Sequence, residues 1–593
     1  MAKQTSSAQG GTPRHSETLE NARFVAKKHL WRAAFLSFFV NLLMLTGPIY
    51  MLQIYDRVIA GRSFETLLVF SGLALVMFIA MGALDFARGA LLARSAEAFE
   101  SELKKTTYDF TMDAASAGLT IGDQPMKDLR QVRSFMASPA LTAVFDAPWT
   151  PFFMFVVFSM HWALGMVGVI GLIVLLVMAI MNERMSRNAN TKASSKSMQA
   201  DKMMTSTLRN VAATDAMGMR GPLQRNWSKV SEEGSDYTLL ASDTNGGMTA
   251  STKATRMFLQ SAILGTGAYL AIGGLVTPGV MIAASIIIGR ALAPMEIVTG
   301  QWRNFAMSGA AYKRLKTYLS AAKLTKERTE LPPPTGILDV NKAFCQPGSA
   351  RKPVLKGINF HLDKGEALGI IGPSAAGKST LARVLVGVEN LNSGEVCMDG
   401  ARISQWERDL LGPYVGYLPQ EVELFGGTAA QNIARFSDDA TSEKIIAAAE
   451  MAGAHQMILG FDEGYDTQIG EGGSHLSAGQ RQRLGLARAI YGNPVLVVLD
   501  EPNSNLDADG DTALAKAVQG LKAVGTTTVI IAHRPSAIAF VDKLLLLAEG
   551  EVKAFGPRDE VLQKIAPGRV ASFEEAAKSK DQQIKSDDAE RRA

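Results

Sequence analysis

The run Gly372-Pro373-Ser374-Ala375-Ala376-Gly377-Lys378-Ser379 has the spacing G-x-x-x-x-G-K-S, the pattern of a loop that wraps phosphate. It follows the apolar stretch ALGII and precedes LARVLVG, so the expected context is strand, loop, helix. In that context the loop's backbone N–H groups, continuing through Thr380, converge with a helix N-terminus on phosphate oxygens. Lys378 then reaches the β- and γ-phosphates and Ser379 ligates Mg²⁺. A second pattern, PVLVVLDEPNSNLD over 494–507, reads as a buried strand delivering two carboxylates. Asp500 suits the metal, directly or through water, and Glu501 suits the polarisation of an attacking water. Together these residues suit Mg²⁺-assisted hydrolysis at a bound chain of phosphates.

Such a loop needs a parallel α/β domain to hold it, and the texture from Ile337 to about Ile565 supplies one, with short apolar runs alternating with helical patterns. The preceding segment, 323–336, contains LPPPTG, whose prolines forbid helix and mark a linker. Residues 566–593 form a charged tail to which no function is assigned. This domain alone does not explain the composition. The 593 residues are 47% hydrophobic and 20% charged, with a mean hydropathy of +0.08, which suggests a strongly apolar part diluted by a polar one. Collagenous, disordered and disulfide-framework classes are excluded. The net charge of +4 is too small for a nucleic-acid binder of this length. Cys345 and Cys397 read as two reduced thiols.

The apolar part lies in the first half. Residues 1–24 read as a mobile cytosolic tail rather than a signal peptide. Six spans are expected at about 30–54, 66–86, 148–160, 162–181, 257–276 and 278–296, with tight turns at Met160-His161 and Thr277-Pro278. The two long inter-span segments, 87–140 and 183–254, are rich in Lys and Arg and are therefore placed on the cytoplasmic side with the N-terminus. Arg57 and Arg62, on the opposite side, are a small exception. Within the spans, Pro48 and Pro294 are expected to kink their helices. Gly165, Gly168 and Gly171 make a face suited to close packing. Asp56 and Asp85 read as boundary charges, and Arg290 lies deep enough to suggest a role on a translocation path or between helices.

Between the two catalytic patterns lies SHLSAGQRQRLGLARAI, whose Leu476-Ser477-Ala478-Gly479-Gln480 resembles the LSGGQ signature of the ATP-binding cassette (ABC) family, with Ala478 replacing a glycine. The resemblance implies that Ser477, Gly479 and Gln480 contact nucleotide from the opposite subunit. It also implies that Gln420 senses Mg²⁺ and nucleotide, that Asp507 lies in the D-loop, and that His533 approaches the γ-phosphate as a switch histidine. Thr467–Gly472 looks like the X-loop of exporters. Gln346 stands where family members stack an aromatic ring on adenine, and Phe344 is the nearest substitute.

One membrane domain followed by one nucleotide domain implies a half-transporter that works as a homodimer: an all-α, six-helix transmembrane domain of the type I ABC exporter fold over 25–322, then an α/β P-loop domain over 337–565. PIYMLQIYDRV (48–58), VFDAPWTPFF (144–153) and GRALAPMEIVTGQWR (289–303) resemble type I secretion permease/ATPases of the PrtD kind, which export alkaline proteases. DQPMKDLRQVRSFM (123–136) and NVAATDAMGMRGPLQRNW (210–227) resemble that family's cytosolic coupling regions. The resemblance implies a bacterial inner-membrane location in the lipid bilayer. It also implies an unfolded protein substrate with a C-terminal signal, a periplasmic membrane-fusion adaptor protein and an outer-membrane channel protein. A half-exporter of lipid, drug or small peptide shares the six-span plan and is the alternative.

Overall fold

The computed structural model describes residues 15–116, 118–119, 121–321, 331–348, 350, 352–504, 506, 508–532 and 538–565. The chain divides into two compact units, one of long helices and one of sheets.

In the helical unit, α1 (His15–Leu43), α2 (Thr46–Gln53) and a π-helical turn (Ile54–Ile59) precede α3 (Phe64–Ser116). Then come α4 (Gln124–Met136), α5 (Pro139–Asp146), α6 (Thr150–Met160), α7 (Trp162–Arg209) and α8 (Val211–Ala216). The unit closes with α9 (Arg220–Ile272), α10 (Pro278–Gly300) and α11 (Trp302–Ala321). α3 and α9 have 53 residues each, about 80 Å at a rise of about 1.5 Å per residue, far more than an apolar layer of about 30 Å requires. The apolar stretch of α3 is long enough to cross the membrane, and both helices carry polar stretches that extend beyond an apolar layer.

Five helical segments are long and apolar enough to span: Leu19–Ile59, Phe64–Ser116, Pro139–Met160, Trp162–Arg209 and Pro278–Gly300. The sixth expected span, 257–276, is not among them. It falls at the end of α9, where Arg256 and Gln260 lower the hydropathy and the helix stops at Ile272. This stretch nevertheless packs inward, with Leu259, Ile263 and Leu270 in the same apolar cluster as α6, α7 and α10. At the N-terminus, helix begins at His15, and Leu19 and Ala22 are buried against Phe99, Leu103 and Leu315. Helix therefore occupies residues 15–24, part of the stretch expected to be a mobile tail.

The turns follow local chemistry. His161 is extended and its Nδ1 accepts from the Ala163 N–H to start α7, while the Thr277 hydroxyl accepts from the Val280 N–H to start α10. α1 and α2 separate at Met44–Leu45, one turn before Pro48, whereas Pro294 is carried inside α10. A Cβ on Gly165, Gly168 or Gly171 would lie 2.4 Å from Phe158, 2.6 Å from Ile288 or 2.6 Å from Leu259, so these glycines let neighbouring helices approach closely.

Asp56 is more than a boundary charge. Its carboxylate accepts from the Thr277 hydroxyl (2.6 Å) and the Gly279 N–H (3.0 Å), capping α10 from the π-helical turn. Asp85 and Asp146 both pair with the buried Arg88, and Asp146 also accepts from Asn41. This polar knot joins α1, α3 and α5. Asp128 on α4, buried, holds Arg314 of α11 through two hydrogen bonds.

The second unit begins with β1 (Leu338–Cys345), β2 (Leu355–Leu362), β3 (Ala367–Ile371), α12 (Lys378–Leu385), β4 (Ser393–Met398) and β5 (Ala401–Arg402). There follow α13 (Arg408–Leu411), β6 (Val415–Leu418), α14 (Ala429–Ile433), α15 (Ser442–Met451), α16 (His455–Leu459) and α17 (Ala478–Ile490). Last come β7 (Leu496–Asp500), α18 (Ala508–Ala523), β8 (Thr527–Ile531), β9 (Lys543–Ala548), β10 (Glu551–Pro557) and α19 (Arg558–Ile565). β2-β1-β4-β5 form an antiparallel sheet, and β10-β9-β3-β8-β7-β6 form a second sheet, parallel except at β10. β7 and β8 are buried along their whole length, as parallel strands covered on both faces must be. In such a sheet ligands bind beyond the carboxyl ends of the strands, which here are Ile371, Asp500 and Ile531.

Arg435, at a left-handed φ of 56°, holds one corner of this unit. Its guanidinium donates to the carbonyls of Gly412, Val415, Arg488 and Ala489, and burial pulls its pKa down to about 10, still a cation at neutral pH. Arg435→Met leaves four carbonyls without that donor. Thermal unfolding of the full chain in detergent is expected to show a loss of about 3 kcal/mol; an unchanged midpoint would remove Arg435 from this role.

Candidate nucleotide site

The site is built at the end of β3. A Cβ on Gly372 would lie 2.0 Å from the Leu547 carbonyl oxygen on the neighbouring strand β9, so only glycine lets the chain leave the sheet there. Gly377 has φ 100° and packs beneath Val354 and Leu355, and Ala375 also adopts positive φ. These conformations turn the loop back on itself and aim its N–H groups inward before α12 begins.

A cavity of about 270 Å³ opens there, lined by Val354, Ser374 to Thr380, Gln420 and Glu501. The Lys378 ammonium donates to the carbonyls of Gly372 (2.8 Å) and Pro373 (3.0 Å), spanning the loop, and burial lowers its pKa while Glu501 and Asp500 oppose that shift. The Ser379 hydroxyl donates to Asp500 at 3.2 Å. Asp500 is buried, which raises its pKa, and the bond from Ser379 counters this. Glu501, at φ 51°, accepts from the Gln420 amide at 3.1 Å. One hydroxyl and one carboxylate facing each other form an oxygen-only pair suited to a hard cation that keeps several waters and bridges substrate phosphates. Among the described residues no set of three His, Cys, Asp or Glu forms a cage, so a metal here depends on phosphate for the rest of its shell.

Residues assigned from three separate stretches of sequence are thus brought together: the loop, Gln420, and Asp500 with Glu501. Ser477, Gly479 and Gln480 are not among the cavity residues. Ser477 caps α17, its hydroxyl accepting from the Gln480 N–H while the Gln480 side chain accepts from the Ser477 N–H. His533 and Asp507 lie outside the described residues. Thr467 to Gly472 packs along the segment after Gln420, with the Ala429 N–H donating to Thr467, the Ile469 N–H to Gly427 and the Gly472 N–H to Leu424.

Neither Phe344 nor Gln346 lines the cavity. β1 ends at Cys345, so strand alternation does not extend to Gln346. Its amide is spent on the Ala350 carbonyl and its N–H on Asn392. Two residues escaped the sequence reading. Val354 covers the loop from the start of β2, with no chemical signal beyond being apolar. Gln482, buried, donates to the carbonyls of Glu501 and Pro502 and so fixes the turn that carries the Glu501 carboxylate; its place two residues after the signature on α17 was the available clue.

Residues 30–292 match the model of the ABC transporter transmembrane region, and residues 355–504 match the ABC transporter family model. The type I secretion system ATP-binding protein PrsD of Rhizobium meliloti is 42% identical over 541 residues, covering 90% of this chain and 93% of the relative. The cyclolysin secretion/processing ATP-binding protein CyaB of Bordetella pertussis is 26% identical, covering 89% of this chain and 75% of the relative. A bacterial Atm1-family ABC exporter solved with ATP bound shares the fold, with a TM-score of 0.78 at 19% identity over 92% of this chain and 97% of that one.

Two substitutions separate holding nucleotide from hydrolysing it. Lys378→Met is expected to weaken ATP binding at least tenfold, because it removes the loop's cation. Gln482→Leu, which leaves the loop intact, is expected to lower kcat about tenfold or more with KM near its normal value. Steady-state ATPase kinetics of the full chain would show both, and a Gln482→Leu effect confined to KM would refute the positioning role.

Proposed function

Because this chain belongs to the ABC transporter family, as a half-transporter of the type I secretion kind, we propose that it is an ATP-driven exporter of protein. The observation that carries this reading is a 42% match to a secretion ATPase that runs through both the helical and the nucleotide units. The chain is a multi-pass membrane protein, and we place it in a bacterial inner membrane with the nucleotide unit in the cytoplasm. The basic segments 87–140 and 183–254 support that orientation.

Catalysis follows from the residues gathered at the cavity. Lys378 exchanges its two loop carbonyls for phosphate oxygens, and the loop N–H groups take up the rest of the charge. Ser379 and Asp500, with Gln420 beside them, are the residues that would hold Mg²⁺, which would supply neutralisation of phosphate charge. Glu501 orients the attacking water, and Gln420, now bonded to that carboxylate, reports whether the site is filled. The family resemblance adds His533 to this set as the histidine that acts on the γ-phosphate.

Ser477, Gly479 and Gln480 stand apart from the cavity of their own chain, which supports a homodimer in which each copy's signature closes the other's site. ATP binding then draws two nucleotide units together and hydrolysis releases them. The passenger is an unfolded protein with a C-terminal signal, delivered through a periplasmic adaptor to an outer-membrane channel.

Glu501→Gln is expected to bind ATP yet lose at least 99% of turnover, and a protein should vanish from the culture medium with it. Normal hydrolysis in that variant would overturn the catalytic assignment. An unchanged set of medium proteins with hydrolysis lost would point to a lipid, drug or small-peptide exporter.

A further inference from the structure

α10 is the most enclosed of the candidate spans, with 50% of its apolar window buried against 6% for α3 and 22 to 33% for the others. It packs against α2, α5, α6, α7 and α9. Ala283–Ser285, Ile287–Gly289 and Ala291–Leu292 are all buried. One strip at helical spacing is left over: Ile282, Ile286, Arg290, Ala293 and Ile297, half-buried or exposed.

Arg290 is the charge on that strip. It lies about 18 Å from the start of α10 at a rise of about 1.5 Å per residue, near the middle of an apolar layer. It is exposed and has no hydrogen-bond or ion-pair partner among the described residues. The acids nearby in the spans are engaged elsewhere: Asp56 on the start of α10, Asp85 and Asp146 on Arg88, and Glu296 on Arg256. An unpaired guanidinium at this depth persists only where water or a transient anion reaches it. A charge at this depth is costly against acyl chains, so it is Arg290 itself that argues for the strip facing water rather than lipid.

We infer that Arg290 lines an aqueous path through the helical unit and binds carboxylate groups of the polypeptide in transit, with Ile282, Ile286 and Ile297 supplying apolar contact on either side. This rests on the protein-export reading and adds the chemistry of the path. Planar guanidinium suits carboxylate, and a single cation amid isoleucines grips weakly enough to let an extended chain move on.

The first test needs no passenger. In the full chain in lipid nanodiscs, Ile286→Cys is expected to react from water with anionic methanethiosulfonate ethylsulfonate about tenfold faster than with the cationic trimethylammonium analogue, after correction for intrinsic reactivity. The natural thiols Cys345 and Cys397 are buried and serve as background. Adding Arg290→Gln is expected to bring the two rates together. No labelling, or equal rates with Arg290 present, overturns the inference; labelling that appears only when the dimer is dissociated assigns the strip to a subunit contact and also overturns it. Second, the medium protein lost in Glu501→Gln cells is expected to fall at least tenfold with Arg290→Gln and to recover with Arg290→Lys; full export with Arg290→Gln overturns the carboxylate role. If Glu501→Gln cells still secrete, the export reading fails while the labelling result stands.

Discussion

No side chain fits between residue 372 and the Leu547 carbonyl, and the nucleotide unit is organised around that exclusion. β3 is central in its sheet, held between β8 and β9, and the chain must leave it through a gap that admits only backbone. Because the loop starts from the most constrained point of the unit, Lys378 and Ser379 inherit a fixed place at the head of α12. Asp500 ends β7, two strands from β3 with β8 between, and Glu501 follows it, so the two halves of the chemistry meet without a long loop. The rigidity that catalysis needs is thus a property of the sheet.

The helical unit faces a different constraint, since charge in an apolar layer must be matched. Asp56 is matched by a hydroxyl and a helix N-terminus, Arg88 by two carboxylates, and Glu296 by Arg256. Asp56 with Thr277 and Gly279, Arg88 with Asp146, and Glu296 with Arg256 each join different elements, so these pairings fix which helices are neighbours, while the glycines of α7 set how close they come. Outside the spans, Asp128 and Arg314 repeat the arrangement between α4 and α11.

The nucleotide chemistry was legible because its residues are tied to one another by spacing: loop then Lys378 then Ser379, strand then Asp500 then Glu501. Apolar runs likewise announced most of the membrane helices. What could not be read was anything depending on a partner far along the chain. Asp56 looked like a boundary residue because Thr277 and Gly279 are more than two hundred positions away. Asp85 looked the same because burial of Arg88 is a tertiary fact. The stretch 257–276 packs with the other spans as the six-helix plan expects, although Arg256 and Gln260 keep it out of the five most apolar segments. Gln482 was invisible because its amide serves backbone carbonyls, which every residue has. The capping role of Gln480 was readable in principle from Ser477-x-x-Gln480, but the signature motif drew attention to its other use.

α3 and α9 are each about 80 Å of continuous hydrogen-bonded rod at a rise of about 1.5 Å per residue. A tilt of one degree about one end of such a rod carries the other end about 1.4 Å, on the same rise. Swinging either rod about one end therefore magnifies a small local rearrangement into a larger displacement at the other, and shortening either by a few turns would reduce that stroke in proportion.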